Sequence, residues 1–355
     1  MFYEKVYDVM KEKNIDAVVV SDGANMRYLS GFRGATGYLY ISAKRRVLAT
    51  DSRYTTMAKE EAPDFEVVDP GAERNYGELL NGLMEQDGAE KVGFEDQYLL
   101  YSSYSRLQEA CKGKLTTPLG DSLDLLRSVK TEQELVYLAK AEEIGDMAFS
   151  HMLEVLKPGM TELEAAAELE YFMKTHGAEN LSFETIVASG VNSAMPHAMP
   201  SNKKIEPGDF VTMDFGCLYN GYCSDMTRTV VVGKANEKQK EIYGIVLEAQ
   251  LAGLEACRSG VRGCDVDKVS RDIITKAGYG DCFGHGLGHS VGLYIHEEPR
   301  LSRTCEVVLQ PNMIETVEPG IYVPGFGGVR IEDMVVVTEG KCRNLAHSPK
   351  ELIEL

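Results

Sequence analysis

The sequence predicts an α/β domain at the N-terminus, followed by an α+β domain that is duplicated internally about a pseudo-two-fold axis. Three observations carry this expectation. At 355 residues with 44% hydrophobic content, the chain can bury a sizeable core and is longer than one ordinary domain. From Asp16 to Glu95, short apolar runs such as AVVV (17–20), YLYIS (38–42) and FEVV (65–68) alternate with helix-like stretches such as SRYTTMAKEEA. Further on, a helical unit followed by strand-like segments occurs twice.

Taken in order, TTPLGD (116–121) has turn residues and no periodicity, and Thr131 with Glu134 forms a capping box that opens the next helix. The domain boundary is therefore expected near residue 125, giving domains 1–125 and 126–355. Pro158-Gly159 stops that helix, and a second capping box, Thr161 with Glu164, starts ELEAAAELEYFMK, a run of strong helix formers. KPGMTELEAAAELEYFMKTHG (157–177) aligns without a gap against RSGVRGCDVDKVSRDIITKAG (258–278), matching Gly159 to Gly260 and Gly177 to Gly278. Strand-like segments follow each copy, FVTMDFGCLY with YCSDMTRTVVV and then NMIETVEP with VRIEDMVVV.

A net charge of −18, from 55 acidic and 37 basic residues, disfavours nucleic acid and anionic membranes as partners and favours cationic ligands. The N-terminus has no basic stretch leading into an apolar core, and no apolar run approaches the ~20 residues of a membrane span, so a cytoplasmic location is expected. Eight scattered cysteines without a CxxC pair suit reduced, mostly buried thiols.

In MDFGCLYNGYCSDMTRT, Asn220-Gly221 is a strong hairpin signal, because a type I′ turn needs positive φ at both central residues. With Tyr219 and Tyr222 as flanking partners, Asp214 faces Thr227, and Asp225 lies diagonally from Asp214 on the same face. Two like charges on an apolar sheet destabilise the fold unless a cation neutralises them. Taken alone, the pair is equally well explained by one solvent-facing turn acid and one capping acid.

HGLGHSVGLYIHEEPR holds His285, His289 and His296, three of the seven histidines, among glycines at 284, 286, 288 and 292 that argue against a helix. Glu318 precedes Pro319-Gly320, and Glu332 sits in the otherwise apolar strand GVRIEDMVVV, where a carboxylate is costly without a partner. An ion pair with Arg330 is the alternative account of Glu332. A pseudo-two-fold arrangement of the two halves would bring Asp214, Asp225, Glu318 and Glu332 to one point, with His289 adding a nitrogen. Two divalent cations would balance four such carboxylates. Oxygen-dominated ligation with one imidazole suits Mn²⁺, with Co²⁺, Fe²⁺ or Zn²⁺ as alternatives.

The ordered set Asp214, Asp225, His289, Glu318 and Glu332, within MDFGCLYNGYCSDMTRT, HGLGHSVGLYIHEEP, VEPGIY and GVRIED, resembles the pita-bread metallopeptidases, Xaa-Pro aminopeptidase and Xaa-Pro dipeptidase (prolidase). The resemblance extends to SFETIVASGVNSAMPHAMP (182–200) and, more weakly, to YLSGFRGATGYLYIS and TDSRY. It implies a creatinase-like N-terminal α/β domain, a pita-bread catalytic domain, usually a homodimer, and hydrolysis of short peptides with proline second by metal-activated water. On the same basis Glu318 is also the proton acceptor and donor, His296 bonds the reacting peptide, and His285 and His197 line the pocket. Arg330 orients Glu332 or a nearby acid, Arg300 holds the substrate beyond the scissile bond, and Phe183 and Tyr222 wall the proline.

The GFRGATG and TDSRY segments favour an aminopeptidase over a prolidase restricted to dipeptides. A peptide-binding protein that has lost catalysis is a more distant alternative, since such relatives usually lose ligands. Creatinase, which works without metal, lacks the full ligand set, and methionine aminopeptidase generally lacks the N-terminal domain.

Overall fold

The computed structural model describes residues 2–34, 36–72 and 75–355; Ala35, in the GFRGATG segment, lies outside them. The chain forms two compact units, Met1–Arg127 and Ser128–Leu355.

In the first unit the apolar runs become strands Ala17–Val20, Tyr38–Ser42 and Glu66–Val68, joined by Arg46–Ala49, Val92–Phe94 and Leu115–Pro118 in one six-stranded sheet. Ala17–Val20 is buried throughout and lies between an antiparallel neighbour, Tyr38–Ser42, and a parallel one, Val92–Phe94. A strand covered on both faces reads as an unbroken apolar run, which is how AVVV appears in the sequence.

The second unit repeats one construction. Helix Glu132–Val155 starts at the Thr131/Glu134 capping box, and helix Glu162–Thr175 starts at the Thr161/Glu164 box. Their counterparts are Glu237–Ala256 and Gly263–Lys276. The glycines aligned in sequence share a backbone that a β-carbon would strain: φ is 90° at Gly159 and 83° at Gly260, 110° at Gly177 and 88° at Gly278. Isolated antiparallel bridges join Thr161 to Lys204 and Arg262 to Val308 at matching places in the two copies. Under the first helix pair pack Val187, Val211, Met213, Phe215 and Val230. Under the second pack Leu287, Val317, Val329, Ile331 and Val335.

The two halves meet where strand Met226–Val231 approaches the segment Gly327–Asp333. Glu332 N–H donates to Thr227 O at 3.1 Å, and the Thr229 hydroxyl donates to Arg330 O at 2.9 Å. Arg228 is buried at this seam. It donates to the Thr227 and Glu332 carbonyls and, at 2.7 Å, to Asp333 Oδ1. Asp333 also accepts from Gln250, Asn344 and Lys350. Burial pushes the Asp333 carboxyl up, but the Arg228 and Lys350 cations hold it below its ordinary value.

All eight cysteines are free, and among the described residues no helix is long and apolar enough to cross a membrane. Replacing Asp333 with alanine leaves Arg228 buried without its carboxylate. The loss is expected at about 3–5 kcal/mol, read from urea unfolding of chelated protein, and an unchanged midpoint would contradict this account of the seam.

Candidate metal centre and active site

The turn residues Asn220 and Gly221 have φ of 46° and 72°, and Tyr219 pairs with Tyr222. The same register continues to Asp214 opposite Thr227. It does not run on as one ladder, because both strands break, at Gly216 and at Ser224-Asp225. A β-carbon at Gly216 would stand 1.9 Å from the Ser224 carbonyl oxygen, so the two breaks fit each other only with glycine there. Asp225 thus leaves the ladder, and its N–H donates to Glu142 Oε2 at 3.3 Å.

The second half delivers its ligand candidates from similar interruptions. Glu332 lies in the gap between strands Gly327–Arg330 and Asp333–Val336, and Glu318 between Ile314–Val317 and Gly320–Val323. Glu318 N–H donates to Leu287 O at 2.8 Å, and His289 N–H to Thr316 Oγ1 at 3.0 Å, which set His289 and Glu318 side by side.

Ligand atoms of Asp225, His289 and Glu332 all lie within 4.8 Å of one another. His289 Nε2 is 3.4 Å from Asp225 Oδ2 and 3.5 Å from Glu318 Oε1. His289 Nδ1 faces the Ser290 carbonyl at 3.1 Å, which assigns the proton to Nδ1 and turns the Nε2 lone pair toward the carboxylates. Burial, together with the nearby His296, takes His289 down to about 3, which keeps the imidazole neutral. Asp214 gives one oxygen to Arg330 at 2.5 Å, while its buried Oδ1 has no hydrogen-bond partner among the described residues.

Burial pushes the Asp225 and Glu332 carboxyls well up, and repulsion from neighbouring acids adds to it: Glu332, Asp214 and Glu318 around Asp225, Glu318 and Asp214 around Glu332. Burial takes Glu318 to about 8 despite the opposing Arg330. A neutral imidazole lone pair, an orphaned carboxylate oxygen and three more carboxylates facing one another form a donor set that fits divalent cations. Among the described residues no cysteine lines this cavity.

The five ligand candidates lie on one cavity of about 1050 Å³, together with His197, His285, His296, Arg300, Arg330 and Phe183. Tyr222 does not line it, which corrects the expectation that it walls the proline. Tyr222 stands on the segment before the Ser224-Asp225 break and packs against helix Glu132–Val155. Its hydroxyl donates to Glu134 Oε1 at 3.0 Å and its ring lies against Tyr137. Arg330 pairs with Asp214, and Glu332 instead accepts from the Thr227 hydroxyl at 2.6 Å.

Three polar residues that sequence reasoning passed over complete the arrangement. Thr227 Oγ1 accepts from Arg330 Nε at 2.9 Å while donating to Glu332, which ties the two carboxylate pairs together. Tyr322 OH accepts from Arg330 Nη1 at 2.8 Å and lies 2.9 Å from His285 Nε2. Glu142 is fully buried behind Asp225. Thr227 was discoverable as the residue opposite Asp214 in the hairpin register. Tyr322 and Glu142 carry no local signal.

A helix-flanked α/β unit, followed by a duplicated unit that gathers buried acids and one imidazole at its seam, is the pita-bread metallohydrolase construction. The chain belongs to metallopeptidase family M24, whose model matches residues 137–339, while residues 3–129 match the creatinase/prolidase N-terminal domain. It is 42% identical to a Xaa-Pro dipeptidase of Pyrococcus furiosus over 99% of both chains. Among solved structures it resembles a Xaa-Pro dipeptidase from Bacillus anthracis, with a TM-score of 0.97 and 44% identity over 100% of this chain and 99% of that one. An X-Pro aminopeptidase from Thermotoga maritima gives a TM-score of 0.91 and 38% identity over 99% of both chains.

The carboxyl shifts have a consequence for stability. Glu318 stands at about 8 when folded against an ordinary 4.5, so the folded state holds a proton that the unfolded state releases, and stability falls as pH rises through that window. His285 and His289, lowered to about 4 and about 3 from 6.5, act in the opposite sense, but only below 6.5. Chelated protein should therefore lose stability from pH 6.5 to 8, by up to about 1.4 kcal/mol per pH unit for each such carboxyl. Denaturant unfolding across that range checks this: Glu318→Gln should flatten the slope, and a rising stability would contradict it.

Proposed function

We propose that the chain is a dinuclear-metal exopeptidase that hydrolyses the bond after the first residue of short peptides with proline second. The observation that carries this reading is the convergence of Asp214, Asp225, His289, Glu318 and Glu332 on one cavity, with the His289 lone pair facing carboxylates. These five residues would hold two divalent cations, with Mn²⁺ the best match to an oxygen-rich set with a single imidazole. When bound, such metals lower the pKa of water and polarise a carbonyl.

The chain's own groups then have distinct tasks. Glu318 takes the proton of the attacking water and returns it to the leaving nitrogen. His296, whose ring centroid lies 4.5 Å from that of His289 and which is exposed and lines the cavity, donates a hydrogen bond to the substrate carbonyl. Arg330 holds Asp214, and Tyr322 links it to His285. Arg300, opposite His289 in the strand pairing, offers a guanidinium to a carboxylate or carbonyl beyond the scissile bond. Phe183 gives the pocket an aromatic wall for a proline ring.

The cavity of about 1050 Å³ is slightly larger than the range of about 300–1,000 Å³ for drug-sized ligands, which leaves room for more than a dipeptide. That room supports cleavage of tripeptides as well, an Xaa-Pro aminopeptidase activity. The second reading, a dipeptidase in the strict sense, is supported by the names of the Pyrococcus furiosus and Bacillus anthracis relatives.

The deciding assay compares Gly-Pro with Ala-Pro-Ala after chelation, with and without added Mn²⁺. Cleavage of both substrates only with metal is expected, and cleavage of Gly-Pro alone selects the dipeptidase. Asp225→Ala and Glu332→Ala should each lose metal binding by calorimetry and activity together, by at least about a hundredfold. Near-wild-type turnover in either variant would remove the assignment.

A further inference from the structure

The cavity does not end at the carboxylates. It continues along helix Glu162–Thr175, where Leu163, Ala166, Ala167 and Glu170 line it as one helical stripe. Leu181 and Ile186 line the cavity on the same side, and Ile186 pairs with Asp214, which places the inner end beside the metal centre. Two hydrogen bonds hold the helix alongside: Leu163 N–H to Ser201 O at 3.1 Å and Lys174 Nζ to Asn180 Oδ1 at 2.9 Å. The alanines keep the arm wide.

This arm has a charge sign. Glu170 and Glu184 both line it, and neither carboxylate has a hydrogen bond or ion pair among the described residues. Thr185, also in the lining, is 4% exposed, and its hydroxyl has no partner among the described residues. The flank at His289 carries a guanidinium, Arg300, whose Nε donates to Glu298 Oε1 at 3.3 Å and whose terminal nitrogens make no hydrogen bond among the described residues. A short peptide has an amine on its first residue and a carboxylate at the other end. The orientation that pairs unlike charges sends the first residue toward the acidic arm and the carboxylate toward Arg300. The overall charge of −18 works in the same direction on a cationic substrate.

Resting on the Xaa-Pro reading above, we infer that this arm binds the side chain of the first residue, and that Glu170 and Glu184 select peptides beginning with arginine or lysine. The apolar stripe takes the methylene stem, and the two carboxylates meet the cationic tip, the division that long basic side chains favour at surfaces. The two acids are specificity determinants and take no part in bond cleavage.

The test compares kcat/KM of metal-loaded enzyme for Arg-Pro and for citrulline-Pro, its neutral near-isostere, with Gly-Pro as the short reference. Wild type should favour Arg-Pro by about three- to tenfold at low salt, with the ratio shrinking as salt is added. In the Glu170→Gln/Glu184→Gln double variant the ratio should approach one. A wild-type ratio near one, a ratio that salt does not change, or a ratio that survives in the double variant overturns the assignment while leaving Xaa-Pro cleavage standing. The salt series needs only wild-type enzyme, so it decides even if the double variant folds poorly. Failure of wild type to cut any of the three substrates overturns the Xaa-Pro reading itself, and this inference with it.

Discussion

Repulsion among four carboxylates gathered at one point is the constraint around which the second unit is built. Asp214, Asp225, Glu318 and Glu332 face one another, and burial together with the charges of Asp214, Glu318 and Glu332 raises the cost of ionising their neighbours. The protein relieves only part of this. Arg330 neutralises Asp214 and reaches Thr227, whose hydroxyl goes to Glu332. Asp214 Oδ1 still has no hydrogen-bond partner among the described residues, and the His289 lone pair faces the carboxyls of Asp225 and Glu318. An arrangement this unfavourable persists because the frame is rigid and because divalent cations, when present, reverse its sign.

The frame is rigid for reasons outside the cavity. Arg228 binds carbonyls from both halves and is itself held by Asp333, so strand Met226–Val231 and the segment that carries Glu332 are fixed against each other by a buried, fully partnered ion pair. Duplication supplies the rest: each half packs a helix pair over its strands, and each half interrupts those strands where a carboxylate is delivered. Asp225 and Glu332 both occupy such gaps. A residue outside the ladder has a backbone no longer bound to sheet periodicity, which lets side chains from four segments converge.

The local chemistry of this arrangement was legible in the sequence wherever it depended on neighbours along the chain. Asn220-Gly221 predicts the turn, the turn sets the register, and the register sets Asp214 opposite Thr227, as observed. The capping boxes at Thr131 and Thr161 mark two helix starts that occur where expected. Read as a continuous strand, however, the same hairpin hides the Ser224-Asp225 break, because the glycine that permits it, Gly216, is eight residues away and acts through a close contact with the Ser224 carbonyl. Tyr222 was misplaced for a related reason: which side of a broken strand meets the cavity depends on helix Glu132–Val155, which takes its hydroxyl.

The sequence by itself determined the class of the fold, the repeated helix pairs, the first hairpin and the candidate ligands, since these rest on propensity, turn chemistry and the cost of placing charge in apolar strands. Only the tertiary structure decided that Arg330 serves Asp214 while Thr227 serves Glu332, that Tyr322 and Glu142 stand behind the centre, and that the cavity extends into an acidic arm. The pairings of Arg330 with Asp214, Thr227 with Glu332 and Glu142 with Asp225 join residues far apart in the chain, more than 100 positions for Thr227 and Glu332. The pairings of Arg330 with Asp214 and of Thr227 with Glu332 depend on how the two halves meet at the Arg228 seam, and no periodicity within either half encodes that meeting.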